Sequence, residues 1–330
     1  MNKSFRLALI LCFAALPCTL GAGVASGAAQ AVADPWRALD ERVLALGHRL
    51  AVAGVELCPN RQYQPGFAIH DLSQYSGADR RARAATALGQ GPTVLVVVPG
   101  GSAEQAGLRR DDVLVAADGA SLPRPPEGTE NSFAPTESII DALERAFADG
   151  HARLTVRRGA GEQDIEIAGA LGCASRFQTV PSPVPRSFAD GRYVQLTYPF
   201  AALAGDDSEL AGLIAHELAH NILRHRARLN DAGIDRGLLQ NFGRNGRLTR
   251  QTELEADRFA VYLLARAGFD PNALIRAWSR LRPHSSQMFA GTHPRWRDRI
   301  AAVEAEIAAV DRLRAEGRDI RPAWVPAQLD

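Results

Sequence analysis

The sequence predicts an α+β chain: a β-rich unit followed by a mainly helical unit that carries a small sheet. Three observations lead there. Residues 58–175 hold short β-branched runs, such as Val-Leu-Val-Val-Val at 94–98, separated by Gly-, Pro- and Asp-rich turns. Residues 181–185 (Pro-Ser-Pro-Val-Pro) form a stiff extended connector. Beyond residue 187 the apolar residues recur mainly at helical spacing. A length of 330 residues fits about two domains, and 46% apolar with 23% charged residues is ordinary for a folded chain.

The first 33 residues read as an export signal. Lys3 and Arg6 precede an apolar stretch at 7–20, short for a membrane span, and Ala31-Val32-Ala33 before Asp34 offers a small-residue cleavage site. An uncleaved anchor is the other reading. The expected mature chain lacks a transmembrane domain and resides in a bacterial periplasm. A net charge of +1 gives no reason to expect nucleic acid as a partner. Lys3 is the only lysine, which excludes lysine-amine chemistry from a chain without its N-terminus.

Cys12 and Cys18 fall within the signal, leaving Cys58 and Cys173. Two cysteines in an oxidising compartment predict one disulfide; two buried thiols are the alternative. The chain-entropy model assigns a bridge closing so long a loop about 4–5 kcal/mol as an upper figure.

Residues 34–57 begin with an amphipathic helix to 53, with Leu39, Val43, Leu46 and Leu50 at helical spacing. In the β-rich unit, strands are expected at 94–98, 111–115, 152–157 and 164–168. A short helix is expected at 103–106, a loop at 121–135 and an amphipathic helix at 137–148. The run from Val97 through Pro99-Gly100-Gly101-Ser102-Ala103 and Ala106-Gly107-Leu108 to Asp118-Gly119 resembles the core of a PDZ domain. That resemblance implies a groove between a strand and the 137–148 helix, where a C-terminal or extended peptide adds to the sheet edge. The carboxylate-binding turn is then expected at 63–67, with Gly66 and Phe67 as groove residues. A purely structural role for the unit is the alternative. Residues 176–186 are expected as a linker, 187–316 as the helical domain and 317–330 as a loose tail.

The chemistry concentrates in His216-Glu217-Leu218-Ala219-His220. On a helix, positions i and i+4 stack on one face, so both imidazoles reach one metal ion, and Glu217 can take a proton from a water held there. Asp206, Asp207 and Ser208 supply N-cap chemistry for this helix, expected to continue to residue 228. A strand at 192–197 precedes it and is expected to pair with an extended substrate. A catalytic zinc usually has three protein ligands. A second helix, capped by Thr249 and running to 266, puts Glu253 and Asp257 on one face. Glu253 can ligate while Asp257 orients a ligand histidine. Glu255 points roughly 160° from that face and reads as solvated surface. His225, five residues after His220, leaves the metal-facing stripe and reads as structural.

These residues resemble the HtpX-like and CAAX-prenyl-endopeptidase family of zinc metallopeptidases (family forty-eight), in its periplasmic form. The resemblance rests on 209–220, on Glu253-Leu254-Glu255-Ala256-Asp257, on Ala267-Gly268-Phe269-Asp270-Pro271, on Thr292-His293-Pro294 and on Arg299-Ile300. It implies a gluzincin-type fold with one zinc per chain, Glu217 as catalytic base, and His216, His220 and Glu253 as ligands. It selects Glu253 over Glu255. His293 is either a fourth ligand that closes the water position or a neighbour that packs beside it. Arg299 either contacts substrate or the site, or makes an ordinary salt bridge. The implied activity is a metalloendopeptidase acting on proteins or peptides in envelope quality control, with the PDZ-like unit recruiting or gating substrate. The rival is a non-proteolytic chaperone or adaptor whose zinc site is blocked by His293.

Overall fold

The computed structural model describes residues 36–234, 243–284 and 294–324. The expected signal at 1–33, His293 and residues 325–330 lie outside the described residues. The architecture is α+β, as composition and pattern predict.

Helix α1 (Arg37–Ala53) buries Val43, Leu46 and Leu50, and a short 3-10 turn leads to Cys58. The β-rich unit then runs β1 (Arg61–Gln64), β2 (Phe67–His70), α2 (Gly77–Ala84), β3 (Thr93–Val97), α3 (Ser102–Gln105) and β4 (Val113–Ala117). It continues through β5 (Ala120–Ser121), α4 (Ala134–Ala146), β6 (His151–Arg158), β7 (Gly161–Ala168) and β8 (Ala170–Cys173). Six strands form one sheet in the order β2-β3-β4-β6-β7, with β5 on β4 and every pairing antiparallel. One face of this sheet packs on α4 through Ile139 and Leu143, which share a core with Phe67, Ile69, Leu154 and Ile165. Strands β1 and β8 pair separately, so the unit is entered and left side by side, and Cys58 is disulfide-bonded to Cys173 there.

The second unit comprises β9 (Arg176–Val180), β10 (Ser187–Ala189), β11 (Tyr193–Thr197), α5 (Tyr198–Ala201), α6 (Asp207–Ile222) and α7 (His225–Asp231). Helices α8 (Gly243–Arg266), α9 (Asn272–Leu281) and α10 (Trp296–Ala315) follow. Its core joins α1, α6, α8 and α9 through Leu50, Leu213, Leu218, Phe259, Leu263 and Trp278. The N-terminal helix therefore belongs to this core. Residues 176–180, expected as linker, form β9 instead, paired parallel to β11. Strand β11, expected to pair with substrate, is central in the order β10-β11-β9, so β10 is the edge strand. Residues 317–324, expected to be loose, pack back on α8: Ile320 and Trp324 cover the core, Arg266 pairs with Asp319 at 2.6 Å, and Arg258 lies over the Trp324 ring.

The helix carrying His216 begins as predicted, since the Asp206 carboxylate accepts from the Glu209 N–H at 2.8 Å. It stops at Ile222 and does not run on to 228. Arg224 adopts φ 53°, the left-handed region, which breaks the i→i−4 ladder and starts α7 in a new direction. The second helix starts at Gly243, so Thr249 is not its cap; the Thr249 hydroxyl donates to Asn245 O within the helix. Among the described residues no helix is long and apolar enough to cross a membrane.

The two units meet through ions. Arg176 on β9 is buried and donates to Glu144 and Asp141 of α4 and to the Tyr193 hydroxyl at 2.5–2.6 Å. Arg192 also bonds Asp141. Burial would raise the Asp141 carboxyl, yet the hydrogen bonds from Arg176 and Arg192 hold it below the usual carboxylate range. A depressed carboxylate contributes stability that is present above its unfolded pKa and lost as pH falls through its folded one. Hydrogen exchange of α4 and β9 should therefore rise below about pH 4, before exchange in α6 and α8 does. Gly212 allows α9 to approach α6, since a Cβ there would lie 3.1 Å from Leu274 Cα. Gly212→Val should cost about 1–3 kcal/mol in denaturant unfolding by forcing α9 outward.

Candidate metal centre

The i, i+4 spacing on α6 places the two imidazoles one turn apart with their Nε2 atoms 3.2 Å from each other. Helix α8 crosses α6 and brings Glu253 to them, its carboxylate 3.5 Å from His216 Nε2 and 3.6 Å from His220 Nε2. The ligand atoms of His216, His220 and Glu253 all lie within 4.8 Å of one another, the only such group among the described residues. Two ring nitrogens and a carboxylate facing one point repel unless a cation or a proton sits between them. This donor set, two imidazoles and a carboxylate, suits a divalent zinc ion with an open position.

The far side of each ring is held. His216 Nδ1 lies 2.8 Å from Asp257 Oδ1. Asp257 is gripped in turn by Arg299, whose Nε and Nη2 donate to its two oxygens at 2.7 and 2.6 Å. Arg299 is 2% exposed and its guanidinium stacks over Trp278 at 4.2 Å, with Trp296 on another side at 5.4 Å. Burial opposes a charged His216, but the contacts to Asp257 and Glu253 outweigh it and push its pKa up to about 10. A proton and a metal thus compete for the same nitrogen. Arg299 is enclosed and bonded to Asp257, so its place here is the salt bridge to the site and not the cavity surface.

Around His220 the structure departs from helical expectation. Five residues of uninterrupted helix would turn His225 about 140° from His220. The break at Arg224 folds α7 back, and His225 Nδ1 lies 2.9 Å from His220 Nδ1. His225 Nε2 is 3.2 Å from Glu255 Oε2, and Glu255 also accepts from Arg228 at 2.6 Å and Gln251 at 2.8 Å. Glu255 is therefore not solvated surface: α7 covers that side of α8 and leaves it 8% exposed. Burial alone would raise the Glu255 carboxyl, yet hydrogen bonds from His225, Arg228 and Gln251 hold it down at about 2. The periodicity of α8 was no guide, because a second helix packs against its other face.

Glu217 is buried beside the ligands, and the Ser187 hydroxyl donates to its Oε1 at 2.6 Å. Ser187 belongs to β10 and carries no sequence signal of this contact. Asn221, one residue beyond His220, ties α6 to the small sheet: its side chain bonds Ser175 Oγ, Tyr193 O and Gly191 N at 2.7–3.1 Å. A cavity of about 260 Å³ opens over the ligands. Strand β10 forms one wall, Phe200, Leu213, Trp278 and Leu281 supply apolar lining, and Arg186 and Arg226 add basic groups. Gly66 and Phe67 are remote from this centre, at the start of edge strand β2. Gly66 has φ 79° and accepts from Val98 N, and the Phe67 ring is buried against Phe147.

Removing one member of a buried ion pair strands the other. Arg299→Met should therefore destabilise the chain by about 3–5 kcal/mol, read by denaturant unfolding, and the double variant Arg299→Met with Asp257→Leu should recover part of that loss.

Residues 238–307, which carry Glu253, Asp257 and Arg299, match the family described as Peptidase family M48. The chain is 29% identical over 164 residues to the mitochondrial metalloendopeptidase OMA1 of Schizosaccharomyces pombe, covering 42% of this chain and 49% of that protein. It is 32% identical over 119 residues to the putative beta-barrel assembly-enhancing protease of Vibrio cholerae, covering 28% of this chain and 25% of that protein. OMA1 of Saccharomyces cerevisiae is 29% identical over 142 residues, 34% and 41% of the respective chains. The matches thus span about half or less of these relatives' lengths. Residues 238–307 thus resemble the M48 metallopeptidases, and the His/Glu group able to hold a metal ion lies in that region and just before it.

Proposed function

We propose that this protein is an exported, zinc-dependent metalloendopeptidase that hydrolyses peptide bonds of envelope or misfolded proteins. The observation that carries the reading is the convergence of His216, His220 and Glu253 within 4.8 Å, with Glu217 buried beside them at a cavity. His216, His220 and Glu253 would hold one zinc ion. The ion, when bound there, would supply a Lewis acid able to polarise a scissile carbonyl and to acidify a water toward a pKa of about 7.

The chain's own groups do the rest. Glu217 takes the proton from the attacking water and delivers it to the leaving amine. The Ser187 hydroxyl donates to Oε1 of Glu217 and so fixes the orientation of its carboxylate. Strand β10 is the edge of its sheet and a wall of the cavity, so an extended substrate adds to it by backbone pairing. The apolar lining from Phe200, Leu213, Trp278 and Leu281 takes a hydrophobic side chain of that substrate.

The β-rich unit plays the role of a PDZ-like module in this reading. Edge strand β2 beside α4, introduced by Gly66, accepts an extended or C-terminal peptide, and α4 leans on β9 and β11 through Arg176. Export is supported by the basic and apolar N-terminal segment and by the Cys58–Cys173 disulfide, which suits an oxidising compartment. The relative whose name concerns beta-barrel assembly favours an envelope setting.

Purified full chain should bind zinc at one equivalent and cleave an unfolded protein such as reduced casein. Glu217→Gln should keep the zinc and lose at least about 100-fold in turnover, within the span of general-base contributions. Substoichiometric zinc in the wild type overturns the reading. Bound zinc without cleavage favours the non-proteolytic chaperone or adaptor, unless His293→Ala restores cleavage.

A further inference from the structure

The His220 side of the centre holds a chain of buried polar contacts for which peptide hydrolysis has no stated use. His220 presents Nε2 toward His216 and Glu253, so its Nδ1 faces away, and there it meets another imidazole 2.9 Å off. An imidazole that offers the Nε2 lone pair as ligand carries its proton on Nδ1. His225 must then accept at its own Nδ1, which fixes its proton on Nε2. That nitrogen lies 3.2 Å from Glu255 Oε2, an acceptor. One neutral tautomer of each ring satisfies both contacts, with the donors all running the same way: His220 Nδ1–H to His225, His225 Nε2–H to Glu255. Arg228 and Gln251 anchor the far end by donating to the carboxylate.

We infer that His225 and Glu255 are positioning residues for the metal centre, forming a relay that fixes the tautomer and ring orientation of His220 as Asp257 and Arg299 do for His216. The inference rests on the reading of His216, His220 and Glu253 as metal ligands. Three features favour a built relay over incidental packing. His225 and Glu255 are both buried, where an unpartnered polar group is costly. The backbone takes the left-handed conformation at Arg224, a non-glycine residue, immediately before His225. Glu255 gathers three donors from two helices, so its carboxylate cannot swing away. The ligand histidines are thus supported in two ways. His216 meets a carboxylate directly, whereas His220 meets one through an interposed ring. That ring also lines the cavity, so the relay doubles as part of the wall over the ligands.

The test is zinc affinity of the full chain, measured by equilibrium competition with a chromophoric chelator, alongside circular dichroism of each variant. Supporting partners of ligand histidines typically contribute about 10- to 100-fold in metal affinity. His225→Phe fills the space without an acceptor and should weaken zinc binding within that range while keeping the wild-type spectrum. His225→Asn keeps an acceptor near the Nδ1 position and should recover most of the affinity. Glu255→Gln, which conserves volume, should weaken binding in the same direction. Unchanged affinity in His225→Phe or Glu255→Gln overturns the relay, and so does a loss in His225→Asn equal to that in His225→Phe, which marks simple packing. If His225→Phe does not fold, Glu255→Gln decides. No zinc binding by the wild type overturns the metal-centre reading itself, and the relay with it.

Discussion

Everything around the centre follows from one electrostatic constraint: three groups able to hold a metal ion, His216 and Glu253 buried and His220 half-buried, converge where α6 crosses α8 beside an apolar core. A polar atom removed from water there must find a partner or cost several kcal/mol. The Nε2 atoms and the Glu253 carboxylate face each other, so each ring must satisfy its remaining nitrogen elsewhere. Asp257 serves His216, and Asp257, fully buried, is balanced by Arg299. Arg299 in turn lies against Trp278 and Trp296, whose faces accommodate the guanidinium. The α8–α9–α10 packing is therefore the outer layer of the site as well as a hydrophobic core.

The same demand explains the small irregular pieces of the second unit. A three-residue edge strand is a weak element by itself, yet β10 puts Ser187 on Glu217. Asn221 closes the gap between the end of α6 and the sheet with three hydrogen bonds, which locks the position of the helix carrying His216 and His220 relative to β11. The left-handed turn at Arg224 redirects the chain within two residues, and the helix that follows brings Arg228 and His225 onto Glu255.

The β-rich unit is joined to this assembly at two places of different physical kind. The Cys58–Cys173 bond and the β1–β8 pair hold the points where the chain leaves and re-enters the helical core. The Arg176 cluster holds α4 against the sheet by charge, with its carboxylates a third exposed and so open to pH and salt. Covalent closure fixes where the unit is tethered, while the ionic contact governs how firmly α4 rests on β9 and β11.

Much of this was legible in the residues. Helical spacing put His216 and His220 on one face, Asp206 capped their helix, and Glu253 and Asp257 shared a face of the next; each is a local relation that a fixed 100° step enforces. The strands and helices expected in the β-rich unit appear within a few residues of their predicted bounds, though β1, β2, α2, β5 and β8 are not among them, and the two remaining cysteines pair. What the local pattern misread was Glu255 as solvated surface, α6 as running on to 228 and with it the direction of His225, Thr249 as a cap, β11 as the strand open to substrate, the linker at 176–180 and the tail at 317–324. Apart from the cap, which fails because α8 starts at Gly243, these turn on contacts between distant segments, or on a break in a helix that periodicity assumes continuous. The sequence by itself determined which groups can share a metal face. The tertiary structure decided which buried groups support them, because a polar side chain under cover takes whatever donor or acceptor the packing of other helices delivers.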